Sequence, residues 1–174
     1  MSRSSVVYGP FSIVWGLGIV VLTMMLHSYI DKPDRHIFIF GTIVGGVYEY
    51  MCSVFTEIFF GTVFWDYSKI PFNLGGRINL LYCFFWGIAA VVWIKIVYPK
   101  LSNLIEKIPM KFGKILTIFM IIFMIFNILI SAMALARYSA RHDGSKPNNR
   151  MESFIDEHFH DERMEHIYPN AKIK

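Results

Sequence analysis

Charge is what this sequence has least of. Only 17% of its 174 residues are Asp, Glu, Lys or Arg, where a soluble domain carries about 25%. That little charge is also gathered at one end. Residues 137–174 hold seven basic and seven acidic side chains, which leaves ten and six for residues 1–136. A soluble globule is thereby excluded, and the chain reads as an apolar body with a charged tail. Cysteine is scarce too: Cys52 and Cys83 both fall inside apolar runs, so a secreted disulfide framework is excluded. No G-x-x-x-x-G-K-[ST] segment occurs, so this chain has no P-loop of its own for hydrolysing ATP. The pI near 9.1 comes without a zinc-finger, RNP-like or helix-turn-helix pattern, and no nucleic-acid partner is expected. The excess of positive charge lies in short connections, where Lys and Arg meet lipid headgroups. His158, His160, Asp161 and His166 in the tail form no closed ligand set, so neither a metal nor a cofactor is expected.

What the sequence does have is length of apolar run. Four runs, at about 10–30, 36–60, 78–98 and 115–136, approach or exceed the roughly 20 residues that cross a bilayer core as helix. The first is too long for a signal-peptide core and lacks a small-x-small cleavage site. The expected fold is an all-α integral membrane protein with four transmembrane helices over residues 1–136. A charged tail, 137–174, completes it. Proline at Tyr8-Gly9-Pro10 suits a first helical turn, and Pro99 marks the expected end of helix three. Lys100–Lys107 reads as a short amphipathic surface helix, and Lys95 as a snorkelling side chain. In the tail, Met151, Phe154, Ile155, Phe159 and Met164 recur at helical spacing, which predicts one short amphipathic helix.

Helices two and three are joined by GTVFWDYSKIPFNLGGR. It is too aromatic for a solvated loop, and non-helical backbone at membrane depth requires protein or a wet cavity over its polar groups. A partly re-entrant segment is expected. Orientation is nearly balanced. Arg3, Lys69, Arg77, Arg137, Arg141, Lys146 and Arg150 lie on one side, and Lys32, Arg35, Lys100, Lys107, Lys111 and Lys114 on the other. The four basic residues that follow helix four favour a cytoplasmic tail.

The polar residues inside the runs carry the chemistry. Advancing 100° per residue, helix two places Gly41, Gly45, Glu49, Ser53 and Thr56 on one stripe. The stripe is small first, as for close helix packing, and polar afterwards. Glu57 lies on an adjoining flank. An ionised carboxylate near mid-bilayer costs at least about 2.5 kcal/mol unless it is paired or hydrated, so Glu49 is either a functional group or an interhelical staple. Glu49, Glu57, Asp66 and Arg77 are the candidate acid, base and charge partners. Trp65, Tyr67, Ser68, Asn73 and Asn79 are the candidate substrate contacts. Asn127 and Ser131, four apart on helix four, read as hydrogen bonds across helices.

The segments VYGPFSIVWGLG, YEYMCSVFTE, FWDYSKIPFNLGGRINL and DERMEHIYPN together resemble the ABC-transporter permease (type IV) family of bacterial membrane proteins. The residues that carry the resemblance are Tyr8, Gly9, Pro10, Glu49, Glu57, Trp65, Asp66, Tyr67, Ser68, Asn73, Gly76, Arg77 and Pro99. It implies a bacterial cell-membrane location and a transport role beside a separate ATPase or membrane subunits, or as a homo-oligomer. Members of that family carry a further helix ahead of the Tyr-Gly-Pro segment. Here only Met1 to Val7 precede it, so the chain is expected to be either naturally short or wrongly begun, and if that helix contributes to a site, the site is incomplete here. Two other functions fit the residues themselves. One is an intramembrane enzyme that uses Glu49 or Glu57 as acid or base on a lipid or isoprenoid. The other is a non-catalytic scaffold that needs only the packing stripe.

Overall fold

The computed structural model describes residues 5–173. Its helices are α1 (Ile13–Leu26), α2 (Asp34–Phe60), α3 (Leu80–Val92), α4 (Tyr98–Ile105), α5 (Met110–His142), α6 (Arg150–His158) and α7 (Asp161–Ile167). Four two-residue strands pair as β1 (Thr62–Val63) with β4 (Lys172–Ile173) and as β2 (Asn73–Leu74) with β3 (Ile78–Asn79), both antiparallel. Three helical stretches among the described residues are long and apolar enough to cross a membrane: Asp34–Phe60, Leu80–Ile105 and Met110–His142. The first expected run, at about 10–30, is shorter. Helix α1 and a 3-10 turn, His27–Tyr29, together cover Ile13–Tyr29.

The residues group into two compact units, one of Val14–Cys52 and Asp66–Thr117, the other of Met1–Ile13, Ser53–Trp65 and Ile118–Lys174. In the first, Leu22 and Leu26 of α1, Ile37 of α2, and Trp86, Ala90 and Ile94 of the third stretch are buried against one another. The stripe of small residues on α2 is used as its spacing predicts. Gly41 faces Ala90 and Gly87, and Gly45 faces the Cβ and ring of Trp86 at distances no methyl group could occupy. Thr23 accepts a 2.7 Å bond from the Trp93 indole.

Pro99 does not end helix three. A five-residue π segment, Trp93–Val97, precedes it, and the Tyr98 N–H bonds the Trp93 carbonyl five residues back. A widened turn changes which carbonyls require a donor, so a proline without an N–H is accommodated inside the stretch. The Lys100–Lys107 segment is accordingly helical through Ile105 as part of that stretch rather than as a separate surface helix. Lys95 does not reach freely for the headgroups. It bonds the Lys32 carbonyl at 2.8 Å and lies 3.6 Å from Asp34, tying down the turn between α1 and α2.

In the second unit the N-terminal segment is not a helical turn. Gly9 takes a positive φ of 79°, which only glycine adopts without cost, and α1 starts at Ile13. The segment lies extended on α5. Val7 N–H donates to Ser131 Oγ at 2.9 Å, while Asn127 receives the Tyr8 N–H at 3.2 Å and donates to the Tyr8 carbonyl at 2.7 Å. Asn127 and Ser131 therefore serve backbone, not another helix. An extended strand beside a helix has unpaired N–H and C=O groups, and these two side chains satisfy them.

The tail folds as two helices. Phe159 and His160 leave helical geometry between them. Ile155, Phe159 and Met164 pack with Val7, Ala134, Leu135, Tyr138 and Tyr168, whereas Met151 and Phe154 are exposed. Arg137 is a helical residue of α5, and it forms a fork to Asp156 with bonds of 3.0 and 2.6 Å. Arg141 bonds Asp156 at 2.6 Å and Asp161 at 2.7 Å. The Arg137 guanidinium, joined by Arg141, holds the Asp156 carboxyl below the usual range. Burial pushes the Tyr168 phenol up to about 12, and its hydroxyl bonds the Ser5 carbonyl at 3.2 Å.

Candidate functional site

Glu49 lies on α2 about 16 Å from its Phe60 end and is 8% exposed. Two neutral groups satisfy its carboxylate. The Tyr67 hydroxyl donates to Oε1 at 2.7 Å, and the Trp86 indole N–H donates to Oε2 at 3.1 Å. Trp86 is fixed on three sides: it fills the notch at Gly45, stacks on Trp15 with centroids 5.0 Å apart, and meets the edge of Tyr48. Tyr67 stacks on Tyr82 at 4.7 Å.

The connection after α2 presents Tyr67, and its polar residues form the frame. Asp66 Oδ1 accepts the Ser68 N–H at 3.0 Å, the local turn to which a short acidic side chain is suited. The Asn73 amide donates to the Ile70 carbonyl at 2.7 Å and accepts the Gly76 N–H at 2.9 Å. Asn79 is 1% exposed, donates to the Pro71 carbonyl at 2.5 Å and caps α3 by accepting the Leu81 N–H at 2.9 Å. Gly75 and Gly76 both take positive φ, 59° and 71°. The Arg77 N–H closes their turn on the Leu74 carbonyl at 3.1 Å, as in the hairpin turns that favour Gly-Gly. A side chain at Gly76 would meet Asp66 Oδ1. Tyr67 N–H bonds the Gly76 carbonyl at 2.8 Å, so the motif folds back on itself.

Of the residues singled out by sequence, Glu49 and Tyr67 are in direct contact. Asp66, Asn73 and Asn79 hold the loop that carries Tyr67, and Ser68 lends its backbone to that frame. The Arg77 guanidinium sits 5.9 Å from the Tyr50 ring centre on α2. Glu57 and Trp65, both half-buried, belong to the other compact unit. Trp86, Tyr82 and Tyr50 were not anticipated. A signal for Trp86 did exist, since it lies well inside a span rather than at its rim, and a buried indole N–H must find an acceptor. Among the described residues no group of three or more His, Cys, Asp or Glu is placed to hold a metal ion.

An apolar body of membrane-length helices, with a carboxylate buried in one of them, defines a multi-pass helical membrane protein. More particularly, the chain belongs to the family described as "Putative ABC-transporter type IV", whose model matches residues 1–132. The match takes in Glu49, the Tyr67 loop and most of α5, and ends before α6 and α7. No curated protein and no solved structure matches the chain.

Proposed function

We propose that this protein is a permease-like membrane subunit of a transport system, with Glu49 as the polar centre of its solute path and ATP hydrolysis left to a partner protein. The observation that carries the reading is the way Glu49 is held. A structural staple needs a donor from a rigid neighbour, and Trp86 supplies that. The second donor, Tyr67, comes from a connection between helices and is held by turns rather than by a span. A carboxylate whose partners are both neutral retains its attraction for a cationic group or a proton, and Tyr67 is the partner that such a ligand displaces. Arg77, Asp66, Ser68, Asn73 and Asn79 shape the mouth of this path.

In this reading Ile13–Tyr29 is a fourth span. Its 14 α-helical and 3 3-10 residues rise about 27 Å, close to the roughly 30 Å of a bilayer core. The Tyr67 loop enters the membrane from one side. Transport through so few helices implies a homo-oligomer or further membrane subunits. The test is solute uptake in cells that carry Glu49→Gln, with co-purification of the wild-type protein in mild detergent. Loss of uptake by a variant that still assembles, together with an ATPase among the co-purified proteins, supports the proposal. Full activity of Glu49→Gln overturns it.

A second reading, chemistry on a lipid or isoprenoid, has one observation in its favour. An open apolar cleft of about 300 Å³ is lined by Ile70, Pro71, Phe72, Leu80 and Phe84 of the same loop and α3. It would suit a hydrocarbon chain. A changed lipid profile on deletion, with unchanged uptake, would favour this reading over transport.

A further inference from the structure

The turn between α4 and α5 carries an unbalanced charge. Lys100, Lys107, Lys111 and Lys114 are all exposed, against one acidic residue, Glu106, in the same stretch. Among the described residues none of these four ammonium groups has an ion pair or a side-chain hydrogen bond. The basic residues at the other end of α5 differ: Arg137 and Arg141 are engaged by Asp156, Asp161 and Glu152, and residues 137–174 balance at seven charges of each sign. The lysines also alternate with exposed apolar side chains: Leu104 is 61% exposed, Met110 73%, Phe112 60% and Ile115 68%.

The position of this turn is set by its neighbours. Leu80–Ile105 has 26 residues and Met110–His142 has 33, about 39 and 50 Å of helix, both longer than a hydrocarbon core of roughly 30 Å. Only residues 106–109 separate them. The surplus length puts both helix ends and the turn in the headgroup layer, where lysine stems lie along apolar surface and their ammonium groups reach outward.

We propose that the Lys100–Lys114 turn is a binding surface for anionic phospholipid, with Lys107, Lys111 and Lys114 meeting headgroup phosphates while Met110, Phe112 and Ile115 contact the acyl boundary. This rests on charge and exposure at the turn and is independent of the role given to Glu49. The anionic leaflet of a cell membrane is the cytoplasmic one, so the turn faces the cytoplasm. Because α5 crosses the bilayer once between Lys114 and Arg137, its tail end then faces the opposite side, reversing the orientation that the basic residues after helix four favoured.

The experiment uses the full-length protein in mild detergent. Binding of phosphatidylglycerol, phosphatidylcholine and free inorganic phosphate is measured by native mass spectrometry and by the shift in melting temperature, for the wild type and for a Lys107→Gln/Lys111→Gln/Lys114→Gln variant. The lysines are exposed and unpartnered, so the variant is expected to fold, and a Lys→Arg triple variant controls for charge alone. About 1 kcal/mol per lysine near the surface corresponds to about fivefold each, and the Gln variant should bind phosphatidylglycerol on the order of 100-fold more weakly. The Arg variant should bind like the wild type, and phosphatidylcholine should not distinguish the three. Equal binding of phosphatidylglycerol by the wild type and the Gln variant overturns the proposal, as does free phosphate protecting as well as the lipid. A soluble protein that captures the turn in preference to phosphatidylglycerol also overturns it. Labelling of Lys107→Cys by an impermeant maleimide added outside intact cells would overturn the placement.

Discussion

Tyr67 reaches Glu49 across the connection between α2 and α3, its hydroxyl 2.7 Å from Oε1. The contact joins the ionisable residue of an apolar helix to a loop that would otherwise look like an interfacial aromatic belt. Removing the hydroxyl tests what the contact does. Tyr67→Phe keeps the stack on Tyr82 but leaves Oε1 without its donor. It should lower stability by about 1 kcal/mol, the typical worth of such a bond, and residues 61–79 should be cleaved faster in limited proteolysis. If the loop is cleaved at the wild-type rate, the hydroxyl does not hold it.

Two glycines, Gly45 packed against a ring and Gly16 facing open space, should respond in opposite ways. Gly45→Ala puts a methyl group into the ring of Trp86 and should cost about 1–3 kcal/mol as overpacking, disturbing the indole bond to Glu49 as well. Gly16 has nothing within 4 Å of the position a methyl group would take. Gly16→Ala should be neutral or stabilise α1 by up to about 1 kcal/mol. Melting temperatures in detergent would separate the two.

The tail should be acid-sensitive through Asp156. Its carboxyl is held below the ordinary range by Arg137 and Arg141, so the folded state favours the ionised form. That contribution is fully present above the unfolded value of about 3.9 and is lost as pH falls through the lower, folded value. Hydrogen exchange over residues 150–167 should be flat from about pH 5 to 8 after correction for intrinsic rates, and protection should fall in stronger acid. At neutral pH, Asp156→Asn should loosen the same residues by roughly 2–3 kcal/mol, less than the ~3–5 of a fully buried pair. An acid response that Asp156→Asn leaves unchanged would assign it to another carboxylate.

Asn127→Leu removes the paired bonds to the Tyr8 backbone without shortening the side chain. The amides of Val7 and Tyr8 should then exchange at least about tenfold faster, as expected for loss of about 1.4 kcal/mol across two bonds. Ser131→Ala should affect Val7 more than Tyr8, because its hydroxyl accepts the Val7 N–H alone.

Much of the architecture is legible in the sequence because the bilayer imposes a one-dimensional rule. A helix satisfies its own backbone, so run length and composition suffice to mark Asp34–Phe60, Leu80–Ile105 and Met110–His142. The Gly41–Gly45 packing face follows from spacing alone, as does the place of Glu49 on the same stripe of α2. Tertiary structure decided the rest, since partners distant in the chain meet only after folding. Nothing local in α2 says that Trp86 and Tyr67 bring the donors for Glu49. Nothing in α5 says that Asn127 and Ser131 will serve an extended segment more than a hundred residues earlier, or that Pro99 will sit beyond a π turn. The acids that engage Arg137 and Arg141 lie on helices that fold back onto α5. Periodicity reports which face of a helix is apolar, but a buried polar group is satisfied by geometry, and that geometry exists only in three dimensions.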